Sequence, residues 1–383
     1  MRIALFCHSI LSDWNHGNAH FLRGVMTELV LRGHRVRTFE PQDAWSATNL
    51  VTDFGPEALL RVRQVYPHLS PTRYDLKTLD LDEALDRVDL VLVHDWSSPE
   101  LVRKVGEHHA NGGLYRLLFH DTHHRAVTNP EAMAAYDLEH YDGVLAFGEV
   151  VRQAYVARGW TSRAWVWHEA ADSRVFRPRT GAAVDSAGDL VWIGNWGDEQ
   201  RTSELEEFLL GPIRALGLSS RLYGVRYPAD AKVALRQAGI EYGGWLPNYL
   251  VPDVFARYRM TVHVPRPSYA AALPGVPPIR IFEALACGIP LVTSPWSDKE
   301  ELFAAGKDYL LAKNGDEMRA HLRALMADRQ MAEELARHGR RTVLARHTCA
   351  HRTDELLGIS ARLGCDVEEP TGGRNSKEAR AIS

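Results

Sequence analysis

The 383-residue chain lacks any apolar run near the roughly 18 residues that a membrane span requires. Its opening, MRIALFCHSILSDW, breaks a short apolar stretch with His8, Ser9 and Asp13, so it does not read as a secretory leader. Cysteine is scarce: Cys7, Cys287, Cys349 and Cys365 lie far apart with no C-x-x-C pair. That spacing argues against a zinc site and against a disulfide framework, and fits reduced thiols in the cytoplasm. There is no excess of positive charge; a net charge of −4 gives no basis for general nucleic-acid affinity. A G-x-G-x-x-G fingerprint is missing after the first strand, which counts against a nicotinamide or flavin enzyme.

What is present is alternation. RIALFCH (2–8) reads as a buried strand, and 17–34 reads as a helix with Phe21, Leu22, Val25, Met26, Leu29 and Val30 on one face, ended by Gly33. RVRTFEP follows as a strand, then DLVLVHD (89–95), YRLLFHD (115–121), DGVLAFG (142–148) and RAWVWHE (163–169), with helical patterns filling most of the gaps. This order implies a parallel sheet covered by helices on both faces. A Gly- and Ala-rich linker at 177–189 follows, and the pattern restarts with LVWIGNW (190–196), RLYGVRYP (221–228), RMTVHVP (259–265) and IPLVTSP (289–295). The expected fold is α/β, with two Rossmann-like, doubly wound domains over 1–176 and 177–345 facing a cleft. A helix over 346–365 is expected to return to the first domain, and 366–383 reads as a disordered tail.

Ligands of open α/β sheets bind at the carboxyl ends of strands, so the loops there carry the candidates. After the first strand, Gly17 and Asn18 open a helix; its amides could meet a phosphate or substrate, or Asn18 could be a plain cap. FHDTHHRAV (119–127) crowds His120, Asp121, His123 and His124 at a strand end. Adjacent loop histidines seldom converge on a metal, so a single hydrogen bond from His120 to substrate is the functional reading, and solvated histidines the bland one. In the second half, Gly194 and Asn195 end a strand. Arg201 then stands at a helix start, either as a diphosphate partner or as a surface arginine. Gly224 ends the next strand. Trp245, after Gly243 and Gly244, could wall a base pocket or pack as ordinary core.

GVPPIRIFEALACGIPLV (275–292) is the most informative stretch. Pro277 and Pro278 suit a helix entry, leaving the amides of Ile279 and Arg280 outward and ready for an anion. Arg280 adds charge. Glu283 sits one turn in, among apolar neighbours, where a carboxylate needs a partner; the vicinal diol of a ribose is one.

FEALACGIPLVTS resembles the signature of the nucleotide-binding domain in GT-B glycosyltransferases, in particular the retaining group that contains sucrose and glycogen synthases. HFLRGVMTELVLRGHRV, FGEVVRQAYVARGW, HEAADSRVFRP and LARHTCAHRTDELL are similar to further segments of that family, over roughly residues 1–360. IGNWGDEQR and PGVPPIRIFEALACG look most like its CgeB-like branch. The resemblance implies a GT-B fold and transfer of a hexose from a nucleotide-sugar, by default a UDP-sugar, to an acceptor that the sequence does not name. It implies retention of configuration, no metal ion and no resident cofactor. His120, with Asp121 beside it, falls on the catalytic histidine position. Glu283 falls on the ribose-binding glutamate, and Gly17, Asn18, Gly194, Asn195, Arg201, Gly224, Trp245, Ile279 and Arg280 become donor-binding candidates. Gly275 stands eight positions before Glu283, where the family carries another glutamate, inside a lengthened loop (265–278). That departure keeps two alternatives in view: a sugar-nucleotide epimerase of the same fold, and a sugar-nucleotide-binding protein of little activity.

Overall fold

The computed structural model describes residues 1–179, 186–197 and 201–367. Most of the tail expected at 366–383, and part of the linker expected at 177–189, lie outside the described residues. The strands are β1 (Arg2–Phe6), β2 (Arg35–Pro41), β3 (Thr72–Tyr74), β4 (Leu90–His94), β5 (Arg116–Asp121), β6 (Gly143–Ala146), β7 (Ala164–Val166), β8 (Gly188–Ile193), β9 (Ser220–Tyr223), β10 (Glu241–Tyr242), β11 (Tyr258–His263), β12 (Leu291–Thr293) and β13 (Leu310–Leu311). Six helices matter below: α1 (Ala19–Leu31), α2 (Trp45–Phe54), α3 (Glu149–Ala157), α4 (Ile279–Cys287), α5 (Arg329–Arg346) and α6 (Cys349–Arg362).

The strands form two sheets of order β3-β2-β1-β4-β5-β6-β7 and β10-β9-β8-β11-β12-β13, and the pairings in both are parallel. This is the doubly wound pair that the alternating pattern implies. The chain divides into one compact unit of Met1–Phe147, Val151–His168 and Cys349 onward, and a second of Gly148–Val150 and Glu169–Thr348.

In the first unit, β1 is buried from Ile3 to Phe6, as expected of a central strand covered on both faces. The α1 helix is buried over most of its surface, because α6 lies along the side that the sheet leaves open. Arg32 bonds Asp354 at 2.5 Å and the Ala350 carbonyl at 3.3 Å, and Trp167 Nε1 donates to the Arg352 carbonyl at 2.8 Å. The end of α1 is closed by amides of Gly33 and His34 reaching back to the carbonyls of Val30 and Leu29.

In the second unit, alternate residues of β8 feed two cores: Leu190 and Trp192 on one face, Val191 and Ile193 on the other. The latter core receives Ile281, Phe282 and Leu285, so α4 is fixed by its apolar face. Gly288, at φ 68°, ends α4 and turns the chain into β12.

Candidate active site

The second sheet reverses its winding between β8 and β11, the place where open α/β sheets hold ligands. The loop after β8 forms a stitched floor there. Gly194 donates its amide to the Tyr223 carbonyl at 2.8 Å, its own carbonyl accepts Tyr227 Oη at 2.8 Å, and Asn195 Oδ1 accepts the Val225 amide at 2.8 Å. Gly224 sits so close that a Cβ there would lie 2.1 Å from the Gly194 carbonyl oxygen. Gly194 and Gly224 act through backbone shape, and Asn195 through its side-chain oxygen. Trp245 follows Gly244 in the next loop and is half-buried.

Arg201 is 7% exposed and ties this floor to the end of β11. Its guanidinium donates to the carbonyls of Val264 (2.7 Å), Trp196 (3.3 Å) and Asn195, and stands 5.1 Å over the Trp192 ring. Burial and the nearby Arg266 lower its pKa to about 10. Each of its three guanidinium nitrogens thus holds a loop carbonyl. His263, at the end of β11, is held neutral by burial and by Arg201 and Arg280, which bring its pKa to about 3.

The lengthened loop contains a short helix, Pro267–Ala272, and then Gly275 at φ 95°. A side chain at Gly275 has no room: its Cβ would lie 2.7 Å from Glu300 Cγ and 2.8 Å from Glu300 Oε1. That oxygen accepts the Glu149 amide at 2.9 Å. Past the loop, Pro278 occupies the N-cap of α4 and has no side-chain acceptor to offer the first-turn amides of Ile279 and Arg280. Glu283 has a fully buried side chain and forms an ion pair with Arg280, whose own side chain is 18% exposed. Charge, open amides and a buried carboxylate thus meet in one helical turn.

In the first unit, Gly17, Asn18, His120 and Asp121 gather at the carboxyl ends of β1 and β5. Asn18 caps nothing with its side chain; the amide instead donates to Thr122 Oγ1. Neighbouring strand residues point to opposite faces, which separates His120 from Asp121. His120 faces α1, its ring 5.8 Å from Phe21 and 4.7 Å from Trp167. Asp121 faces α3, where Oδ2 accepts Tyr155 Oη at 2.8 Å and Oδ1 accepts the His123 amide at 2.8 Å. Burial and the adjacent Asp95 push the Asp121 carboxyl well up. The two residues do not converge on one reacting atom, and Asp121 anchors the loop.

Sequence reasoning missed three further histidines. His94 pairs in register with His120, and their rings are 5.1 Å apart. His16 lies 6.0 Å from His94 and 5.8 Å from His8, which stacks on Trp45 at 4.5 Å. Burial lowers the pKa of His8 to about 4 and of His94 to about 3, and carries His16 and His120 well down. The signal was available in the repeated endings LVHD and LFHD, which parallel pairing sets side by side.

Residues 201–358 match a family described as glycosyl transferase-like. No curated protein matches the sequence. Among solved structures, the chain is similar to a sucrose-phosphate synthase from Thermosynechococcus elongatus (TM-score 0.67, 14% identity, 95% of this chain and 99% of that one). It is also similar to HepE from Anabaena in complex with UDP-glucose (0.67, 12%, 94% and 100%). A third is an alpha-glucosyltransferase in complex with UDP and a 13-mer DNA (0.68, 11%, 94% and 99%). The fold of this chain is GT-B.

Proposed function

We propose that the protein is a glycosyltransferase that moves a hexose from a nucleotide-sugar, by preference a UDP-sugar, to an acceptor hydroxyl with retention of configuration and without a metal ion. The second unit binds the donor and the first unit the acceptor. The observation that carries this is the entry to α4: open amides at Ile279 and Arg280, with the buried Glu283–Arg280 pair one turn in, at the reversal point of the sheet. The departing diphosphate gains negative charge as the glycosidic bond breaks. Amides at a helix N-terminus and a fixed arginine stabilise that charge without reorganising, which is how an oxyanion is stabilised in a dry site. Glu283 accepts hydrogen bonds from the ribose diol, and the diphosphate draws Arg280 outward. Gly194, Asn195 and Gly224 let the nucleotide approach the backbone, Trp245 flanks the base, and Arg201 supplies charge from behind. His120 orients the transferring sugar. The likeness to HepE, solved with UDP-glucose, supports the choice of donor.

Binding of UDP to Glu283→Ala tests the reading. A hydrogen bond to a charged group contributes about 1.5–3 kcal/mol, so affinity should fall by about 10- to 100-fold while the melting curve of the free protein stays cooperative. Unchanged UDP affinity would remove Glu283, and with it the α4 site, from the function.

A further inference from the structure

Two arginines near the end of β11 have their guanidinium groups engaged in the ligand-free protein. Every nitrogen of Arg201 holds a loop carbonyl, and Arg280 is paired with the buried Glu283. A third, Arg266, stands two residues past Val264, whose carbonyl accepts Arg201 Nη1 at 2.7 Å. It is half-buried, and among the described residues its guanidinium has no ion pair and no hydrogen bond.

The run Pro265-Arg266-Pro267 sets where this side chain begins. A residue before proline is confined to extended backbone, and Arg266 has φ −70° and ψ 147°. Its carbonyl accepts the amides of Tyr269 at 2.9 Å and Ala270 at 3.0 Å, which ties it to the short helix Pro267–Ala272. The backbone under Arg266 is therefore ordered before any ligand arrives, and that part of the ordering cost does not fall on binding.

Charge decides what Arg266 meets. The fields of Arg201 and Arg280 both reach His263 at the end of β11, and the field of Arg266 reaches Arg201. Glu283 offsets Arg280. The acid that acts on Arg201, Glu204, does so more weakly than Arg266 does. Two like charges thus stand near each other without an equal counter-charge, one of them buried, and their repulsion weighs on the free protein. An anion would relieve that repulsion and give Arg266 a forked acceptor, and an uncharged ligand would do neither. In the same segment, Ser268 Oγ is buried without a partner among the described residues. It is a hydroxyl that a phosphate oxygen could satisfy.

We propose that Arg266 binds the diphosphate of the nucleotide-sugar directly, and so selects a charged nucleotide over a nucleoside at this site. The proposal rests on the glycosyltransferase reading and adds the residue that recognises the charge of its donor.

The test uses the full chain with UDP and uridine as probes. Binding is followed by ligand-observed NMR, and the ligand-free proteins are unfolded in urea. Arg266→Gln should weaken UDP binding by about 10- to 100-fold, the range for a hydrogen bond to a charged group, and leave uridine binding unchanged. Because the substitution removes a like charge beside Arg201, the ligand-free variant should be at least as stable as the parent. In the wild-type protein the Arg266 Nε–H signal should move with UDP and stay in place with uridine. Unchanged UDP affinity in Arg266→Gln, an equal loss for uridine, or a wild-type Nε–H signal that UDP does not move would overturn the proposal. So would a variant that is less stable or fails to fold, which would make Arg266 a structural tie. A wild-type protein that does not bind UDP overturns the donor reading as well. A wild-type protein that binds UDP, with a variant that binds it equally, overturns the role of Arg266 alone.

Discussion

Acidification should destabilise the first unit in a way that can be worked out from its buried titratable groups. His8, His16, His94 and His120 all have native pKa values below the ordinary 6.5, because burial disfavours the imidazolium. Below pH 6.5 the unfolded chain binds a proton at each of them and the native state does not, so native stability falls as pH falls. One such group contributes about 1.4 kcal/mol per pH unit, or about 2 kcal/mol between pH 6.5 and 5. Asp95 and Asp121 act in the opposite sense. Burial, with mutual repulsion for Asp121, raises both. Each therefore binds its proton in the native state before the unfolded chain does, and gains stability over the same descent. Glu40, raised by burial as well, acts with them. Three carboxyls offset at most three of the four imidazoles, and the balance is a loss of at least about 2 kcal/mol by pH 5, against the 5–15 kcal/mol that holds a typical domain. Urea unfolding followed by tryptophan fluorescence at pH 7 and pH 5 reads the difference, with the two units fitted as separate transitions. A first-unit midpoint that is unchanged or higher at pH 5 would refute the claim that these imidazoles are neutral and buried.

Two substitutions in the second unit separate shape from charge. Gly224→Ala places a methyl group 2.1 Å from the Gly194 carbonyl oxygen, so the floor of the proposed donor site must shift and UDP affinity should fall at least tenfold, measured by calorimetry. Arg201→Gln leaves the carbonyls of Asn195, Trp196 and Val264 short of a donor, and should lower the stability of the ligand-free protein by about 1–3 kcal/mol in urea titration. A variant as stable as the parent would mean that Arg201 is not a structural tie.

Much of the architecture was legible because parallel sheets buried on both faces are built from continuous apolar runs, and LVLVH, RLLFH and LVWI are such runs. The arrangement at the entry to α4 was legible for a related reason: proline pair, helix entry and buried acid are all local in sequence. Asp121 shows where this fails. Adjacent to His120 in sequence, it is turned to the other face by strand alternation, which only a fixed register reveals. The histidine stack failed for the same cause, since His16 lies in the loop after β1 and His94 and His120 stand at the ends of β4 and β5, and they meet only through pairing of β1, β4 and β5. The fate of the lengthened loop was also not local: what fills the space beside Gly275 is Glu300, 25 positions later.

Helix α6 belongs to the first unit, yet it follows every described strand of the second unit in the chain. Until Cys349–Arg362 emerges, α1 presents an uncovered apolar flank, while every strand of the second unit has already been made. Biogenesis is therefore expected to run out of sequence order, with the carboxyl-terminal sheet maturing first and its amino-terminal neighbour waiting for a final clasp.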